Sequence, residues 1–377
     1  MKKYILLIIT IIACVSSCNI KPIDNFKCIT LKVNLKGDTV KFGDLFSKME
    51  IIPLETLDSC LIMNIEKIEL HNNQLFIFDN LRPALYVFDK KGKYIKQIGK
   101  KGEGPDEFQV ITDVFIDKTR NVILFLSHFG SVLIYDIEGN YIGREMLPIK
   151  NNYYSIATTE NNNWVLWSCV DADESGITVV NKDSMLPIYE TWHNDRMLDM
   201  GLMKPFYQYN KISFFSSAYQ NTVYQIKTDS LISAYKWDFN KDNIKSGMLE
   251  AYSKIKNGSK RNNKILKDLE EGILPYSMER HNQNEQYYYV ALRKGVGIDR
   301  PWINVFYRKK DHSTFVFEQI EEGVSIRPIL FTNEDIISTL LPEDSFSYKK
   351  MLPQNEYEKI VSRNSDDNPC LVKLSFK

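Results

Sequence analysis

Several signatures of known chemistry are missing from the 377 residues. No two cysteines stand in C-x-x-C spacing, no histidines form H-x-x-x-H or H-E-x-x-H, and neither G-x-S-x-G nor Ser-x-x-Lys with its partner motifs occurs. These absences remove the common zinc sites, the zincin metalloproteases, the α/β-hydrolase nucleophile and the β-lactamase type of serine enzyme. Charge of one sign is missing too. Forty-eight basic and 48 acidic residues cancel, so no global field points to nucleic acid or to an anionic membrane. No cofactor, metal or nucleic-acid partner is expected on these grounds.

A long apolar run is also lacking. Tyr4–Ala13 is ten residues, half of the ~20 that span a bilayer as a helix. With Lys2 and Lys3 before it and Val15-Ser16-Ser17-Cys18 after it, the run reads as a cleaved targeting segment. Val-Ser-Ser-Cys resembles the bacterial lipobox, in which the chain is cut before the cysteine and the cysteine is acylated. The expected layout is a lipoprotein signal peptide over residues 1–17, a lipid on Cys18, a polar tether over 18–27 and a folded body over 28–377. Asn19 is not the aspartate that retains lipoproteins at the inner membrane, which favours the outer membrane and leaves its periplasmic or external face open. Losing Cys14 with the signal and Cys18 to the lipid leaves four scattered thiols, Cys28, Cys60, Cys169 and Cys370. These are too few for a disulfide framework and read as small buried hydrophobes.

What is present is a repeat. The hairpin in Leu85–Ile98, LYVFDKKGKYIKQI, returns as Val132–Ile142, VLIYDIEGNYI, with Asp89/Asp136, Gly92/Gly139 and Tyr94/Tyr141 each 47 positions apart. Short β-branched and aromatic segments separated by Asn, Asp and Gly surround both copies. Ile51–Glu55, Ile65–Leu70, Gln74–Asp79, Leu85–Asp89 and Tyr94–Ile98 come first, then Ile111–Asp117, Val122–Leu126, Ser131–Asp136 and Tyr141–Met146. Four strands in about 45 residues is the size of one propeller blade. Tyr153–Thr158, Trp164–Ser168, Ile177–Asn181 and Ile188–Trp192 keep that rhythm for a third blade. Lys211–Ser216, Thr222–Lys227 and Leu231–Phe239 belong to a fourth, and Tyr287–Arg293, Ile303–Arg308 and Phe315–Ile320 to a fifth.

Asp242–Gly272 breaks the rhythm with Ile244, Met248, Tyr252 and Ile255 at helical spacing, then Ile265, Leu266 and Leu269 beyond Asn257-Gly258-Ser259. Two short helices are predicted there, with Asp242 as the first N-cap. Pro342–Arg363 is a second, partly helical interruption. Cys370–Phe376 reads as a last strand, placed to close a ring by pairing with an N-terminal segment.

The linker Gly99–Phe108, GKKGEGPDEF, resembles the G-x-x-G-x-G-P-x-E-F connection between blades of NHL-type propellers. With Ile51-Ile52-Pro53-Leu54-Glu55 and Asp367-Asn368-Pro369, the chain resembles the six-bladed β-propeller lipoproteins of Bacteroidetes (NHL/TolB-like). The resemblance implies an all-β, six-bladed β-propeller of four-stranded antiparallel blades and a bacterial envelope location. It implies no established activity. The linker after Met146 lacks the Gly-Pro-Glu-Phe echo, so spacing alone admits five, six or seven blades.

Candidate chemistry is sparse. Gly99-x-x-Gly102-x-Gly104 is followed by Pro105 and Asp106 where a phosphate loop needs Lys and Ser or Thr, which makes it a turn. Asp171-Ala172-Asp173-Glu174-Ser175-Gly176 begins like an EF-hand loop, but position 12 is Lys182, so at most a looser calcium site remains. Among His71, His128, His193, His281 and His312, His128 lies beside the second hairpin and is the candidate ligand-binding or basic histidine. Lys254, Lys256, Lys260, Arg261, Lys264 and Lys267 read as a solvated helix face. Aromatic residues are abundant, including Tyr287-Tyr288-Tyr289 with rings on both faces of one strand. Most fill spaces between blades, and any exposed at a rim would suit sugar stacking.

An anchor and a ring without a catalytic signature predict a ligand- or partner-binding module of the envelope, for a glycan or another envelope protein. The alternative is a polysaccharide lyase or hydrolase acting at the central channel through His, Tyr, Arg or carboxylates. A third reading is a subunit of a larger outer-membrane assembly.

Overall fold

The computed structural model describes residues 28–128, 130–147, 153–168, 176–181, 184–190, 204–245, 247–255, 257–297, 300–340 and 345–377. The signal peptide, Cys18, the tether, Cys169, the acidic stretch 171–175, Lys182, His193 and Lys256 lie outside these residues. Six four-stranded antiparallel sheets make six blades, as predicted, and one carries an extra strand.

Blade I holds β3 (Ile65–His71), β4 (Gln74–Asp79), β5 (Ala84–Asp89) and β6 (Tyr94–Ile98). A small parallel pair, β7 (Lys100–Lys101) and β8 (Glu107–Phe108), leads to blade II, with β9 (Ile111–Asp117), β10 (Val122–Ser127), β11 (Ser131–Asp136) and β12 (Tyr141–Met146). Blade III has β13 (Tyr153–Thr158), β14 (Trp164–Ser168), β15 (Gly176–Asn181) and β16 (Ser184–Glu190). Blade IV has β17 (Phe206–Tyr209), β18 (Ile212–Ser216), β19 (Thr222–Ile226) and β20 (Leu231–Asp238), with β1 (Ile29–Lys32) added in parallel on its outer edge. Blade V has β21 (Ser277–Gln283), β22 (Tyr287–Arg293), β23 (Trp302–Arg308) and β24 (Thr314–Phe317).

Blade VI closes the ring. Its inner strands β25 (Pro328–Phe331), β26 (Asp335–Thr339) and β27 (Cys370–Phe376) come from the C-terminal part, and its outer strand β2 (Phe46–Pro53) from the N-terminal part. Ile51 faces Val372 and Pro53 faces Cys370 in an antiparallel ladder. Closure removes the open edges that a row of strands would otherwise expose. Asn368 strengthens the joint: its amide donates to the carbonyls of Glu55 and Cys60 at 2.7 Å each, and its side-chain oxygen accepts from Ile62 N at 2.7 Å.

The repeated hairpins share one local cause. Gly92 and Gly139 take φ of 85° and 92°, a region that costs an L-residue strain. Their N–H groups donate to Asp89 and Asp136 carbonyls at 3.0 Å. Gly92 also lies against blade VI, where a Cβ would stand 2.2 Å from the Pro53 carbonyl oxygen. The Gly-Pro linker is structural as well. Glu107 accepts from Gly104 N at 2.9 Å and pairs with Lys100 at 2.7 Å, while Phe108 stacks on Phe125 at 5.7 Å.

Apolar residues of neighbouring blades interleave, and Tyr287 and Tyr289 pack toward blade VI while Tyr288 packs toward blade IV. Each fully buried Phe or Leu in these layers contributes about 1.5–3 kcal/mol. Cys60 and Cys370 are buried free thiols.

Between blades IV and V lie α2 (Met248–Ser253) and α3 (Gly258–Glu270); α1 is the single turn Phe42–Leu45, and α4 (Ser345–Met351) and α5 (Gln354–Val361) precede β27. Asp242 does not cap the first helix. It ends a 3-10 turn, Asn240–Asp242, and Gly247 precedes α2. Asn257, which reads in sequence as a break, is the cap of α3 and accepts from Lys260 N at 2.9 Å. Arg261 departs from the predicted solvated face: it is 5 % exposed and donates to the Ile255 carbonyl, on the side of α3 that carries Ile265 and Leu269 into the cluster with Tyr252 of α2.

Candidate functional site

The first strands of the blades, β3, β9, β13, β17, β21 and β25, stand innermost, and neighbours among them touch around the axis. Each leaves one edge unpaired toward the centre, so the channel wall is polar backbone before any side chain is considered. A cavity of about 400 Å³ occupies this axis. It is lined from blades I, IV, V and VI and by Lys118 just beyond β9.

One wall is knit by Asp113 on β9, whose side chain is fully buried. Its carboxylate accepts from Ser155 Oγ at 2.7 Å and Ile156 N at 3.0 Å on blade III, and from Lys67 Nζ of blade I at 3.3 Å. Lys204, just before β17, places its ammonium 3.6 Å from the same carboxylate and donates to the carbonyls of Thr112 and Tyr154. Burial alone would raise the Asp113 carboxyl, but the two lysines and the two hydrogen bonds hold it below the ordinary aspartate value. Burial pulls Lys204 down against the opposing pull of Asp113. Four blades therefore meet on one carboxylate, and Lys204 is held within the protein by two carbonyls and this ion pair.

The opposite wall is β21, SMERHNQ. Glu279 is spent on Arg293, whose guanidinium donates to it at 2.9 and 3.1 Å. Arg280 points toward blade VI. One of its N–H groups donates to the Pro328 carbonyl at 3.0 Å, and its guanidinium lies 5.8 Å from the Trp302 ring centre. Among the described residues Arg280 makes no salt bridge, although burial pulls its pKa down and Glu66 opposes that shift. His281 points to the other face of the strand. It is 4 % exposed and neither ring nitrogen has a hydrogen-bond partner among the described residues. Burial pushes its pKa down to about 3, so the imidazole is neutral.

Trp302, Phe206 and Phe331 give the cavity aromatic surface, and Asn80, Gln208 and Asn282 give it amide groups. Such a wall can hold a small polar ligand by charge-assisted hydrogen bonds and ring stacking. Among the described residues no three His, Cys, Asp or Glu side chains converge to hold a metal.

The histidine singled out by sequence stands elsewhere. His128 follows β10, its N–H donates to the Val110 carbonyl at 3.3 Å, and its ring meets Tyr154 edge-on at 5.9 Å. It is not among the cavity-lining residues. His71 bonds Asn121 at 3.1 Å and His312 bonds the Tyr307 hydroxyl at 2.9 Å. Arg280 and His281 sit in a strand that sequence pattern does not reveal, since only Met278 in Ser277–Gln283 is an aliphatic core residue. The available signal was arithmetic: fourteen residues separate Gly272 from Tyr287, enough for the fourth strand that blade V otherwise lacks.

The chain is similar in structure to a protein of Bacteroides fragilis described as a "Putative exported protein", at a TM-score of 0.74 and 21 % identity over 93 % of this chain and 99 % of that one. A member of the DUF4221 family from Bacteroides vulgatus is similar at a TM-score of 0.54 and 10 % identity, covering 88 % of this chain and 97 % of that one. Both likenesses are of fold. No curated protein matches the chain. Residues 26–375 match the family described as "Domain of unknown function (DUF4934)", and the chain belongs to that family.

Proposed function

We propose that this propeller is a ligand-binding module of the bacterial envelope and that its ligand, of the glycan class, occupies the central channel. The observation that carries this reading is the axial cavity of about 400 Å³ with polar and aromatic walls, where Arg280 has no carboxylate partner among the described residues. A ring that served only as a scaffold would gain more from an apolar plug, because each polar group buried without a partner costs roughly 1–3 kcal/mol. In the same proposal the protein is held at the outer membrane by a lipid on Cys18. The similar Bacteroides fragilis protein is described as a "Putative exported protein", which accords with that address.

Ligand-observed NMR against a panel of neutral and acidic oligosaccharides tests the channel. Binding should be lost in Asn282→Trp, which puts an indole into the cavity, while circular dichroism stays unchanged. Retained binding in a folded Asn282→Trp chain overturns the channel assignment. The lyase or hydrolase alternative draws on His281, a neutral imidazole beside the cavity. Cleavage of a panel member that stops in His281→Gln would favour it over simple binding.

A further inference from the structure

Resting on the channel reading, we infer that the cavity is a receptor for a monoanionic sugar, a uronic-acid type of ligand whose carboxylate meets Arg280. Three observations converge on this chemistry.

The first is a charge surplus. Around the cavity Glu69 is neutralised by Lys118 at 2.9 Å and Glu279 by Arg293 at 2.9 Å. The remaining charges are the cations Lys67, Lys204 and Arg280 and the carboxylates Glu66 and Asp113. One positive charge is left over, and a monoanion balances it.

The second is donor supply. Lys204 donates to the Thr112 and Tyr154 carbonyls and is ion-paired with Asp113 at 3.6 Å. Arg280 has spent one of its five N–H groups on Pro328. The guanidinium fork matches a carboxylate bidentately, so the free donors of this net-positive cavity lie on Arg280.

The third is the rest of the wall. Asn80, Gln208 and Asn282 add amides, and Trp302 adds a flat apolar face of the kind on which a sugar ring packs. Hydroxyl-pairing groups, one aromatic face and one spare guanidinium describe a sugar acid better than a simple fatty or amino acid.

The test is titration of the full chain with D-glucuronate, D-glucose, acetate and D-glucose 6-sulfate, followed by ligand-observed NMR. D-glucuronate should bind at least about tenfold more tightly than D-glucose or acetate, and Arg280→Gln should weaken it about 10- to 100-fold. Trp302→Leu, a second variant with the guanidinium intact, should weaken D-glucuronate and leave the weaker acetate binding unchanged. Circular dichroism checks that both variants are folded. Equal D-glucuronate affinity in wild type and Arg280→Gln overturns the inference, as does tighter binding of the sulfate ester. Neutral sugars that bind as well as D-glucuronate and are lost in Asn282→Trp overturn the anion receptor and leave the channel reading standing. If no panel member depends on Asn282, both readings fall.

Discussion

His281 offers a thermodynamic test of how the channel is built. Its imidazole is neutral because burial holds the folded pKa at about 3, against 6.5 for the free side chain. Between those values the unfolded chain binds a proton that the folded chain does not, so stability rises with pH through this window. Read downward, the stability is fully present above pH 6.5 and is lost as pH falls toward 3. The loss attributable to this residue is about 2 kcal/mol at pH 5 and about 4 kcal/mol at pH 3. His281→Leu keeps much of the volume and removes the proton site. Urea unfolding of both chains at pH 7.5 and pH 5 gives four midpoints, and the other histidines cancel because both chains contain them. The wild type should lose about 2 kcal/mol more than the variant over that interval, with equal m-values. Equal losses would refute the reasoning, because they would mean that the imidazole titrates in the folded state as it does in water.

Three further outcomes follow from contacts at the ring's seams. Asp113→Ala leaves Lys67 and Lys204 facing each other without their carboxylate and should cost about 3–5 kcal/mol in chemical denaturation; a change under about 1 kcal/mol would contradict the four-blade junction. Asn368→Ala removes three hydrogen bonds, one of them buried, at the closure of blade VI and should lower stability by about 2–4 kcal/mol. Its amide exchange should rise first in β2 and β27, and uniform exchange would argue against a local latch. Gly92→Ala combines a positive φ with a Cβ 2.2 Å from the Pro53 oxygen, so it should destabilise far more than Gly143→Ala, where nothing lies within 4 Å and φ is not positive.

The outer parts of the blades were legible because their chemistry is repetitive. Gln74–Asp79, Leu85–Asp89 and Val122–Leu126 alternate or run apolar, since they pack against neighbouring blades on both faces. Gly92 and Gly139 mark the hairpins for a reason that survives in the structure, their positive φ. The inner strands of blades IV, V and VI were not legible. Ser277–Gln283 carries Glu, Arg, His, Asn and Gln because it borders a wet channel, and Pro328–Phe331 is four residues long and begins with proline. In blade V the polarity that lines the cavity is what hides β21 from an apolar pattern, whereas β17 and β25 are four residues each, too short for one. His128 was conspicuous because it sits beside a recognisable hairpin; His281 was not, because its strand was unrecognised.

Isoleucine methyl NMR tests the central claim most directly, since Ile68 and Ile329 line the cavity while Ile95 and Ile142 are exposed on outer strands. On adding D-glucuronate, the account predicts that the Ile68 and Ile329 methyl signals shift with one common dissociation constant while Ile95 and Ile142 stay still. Shifts confined to Ile95 and Ile142, with the channel methyls silent, would contradict it.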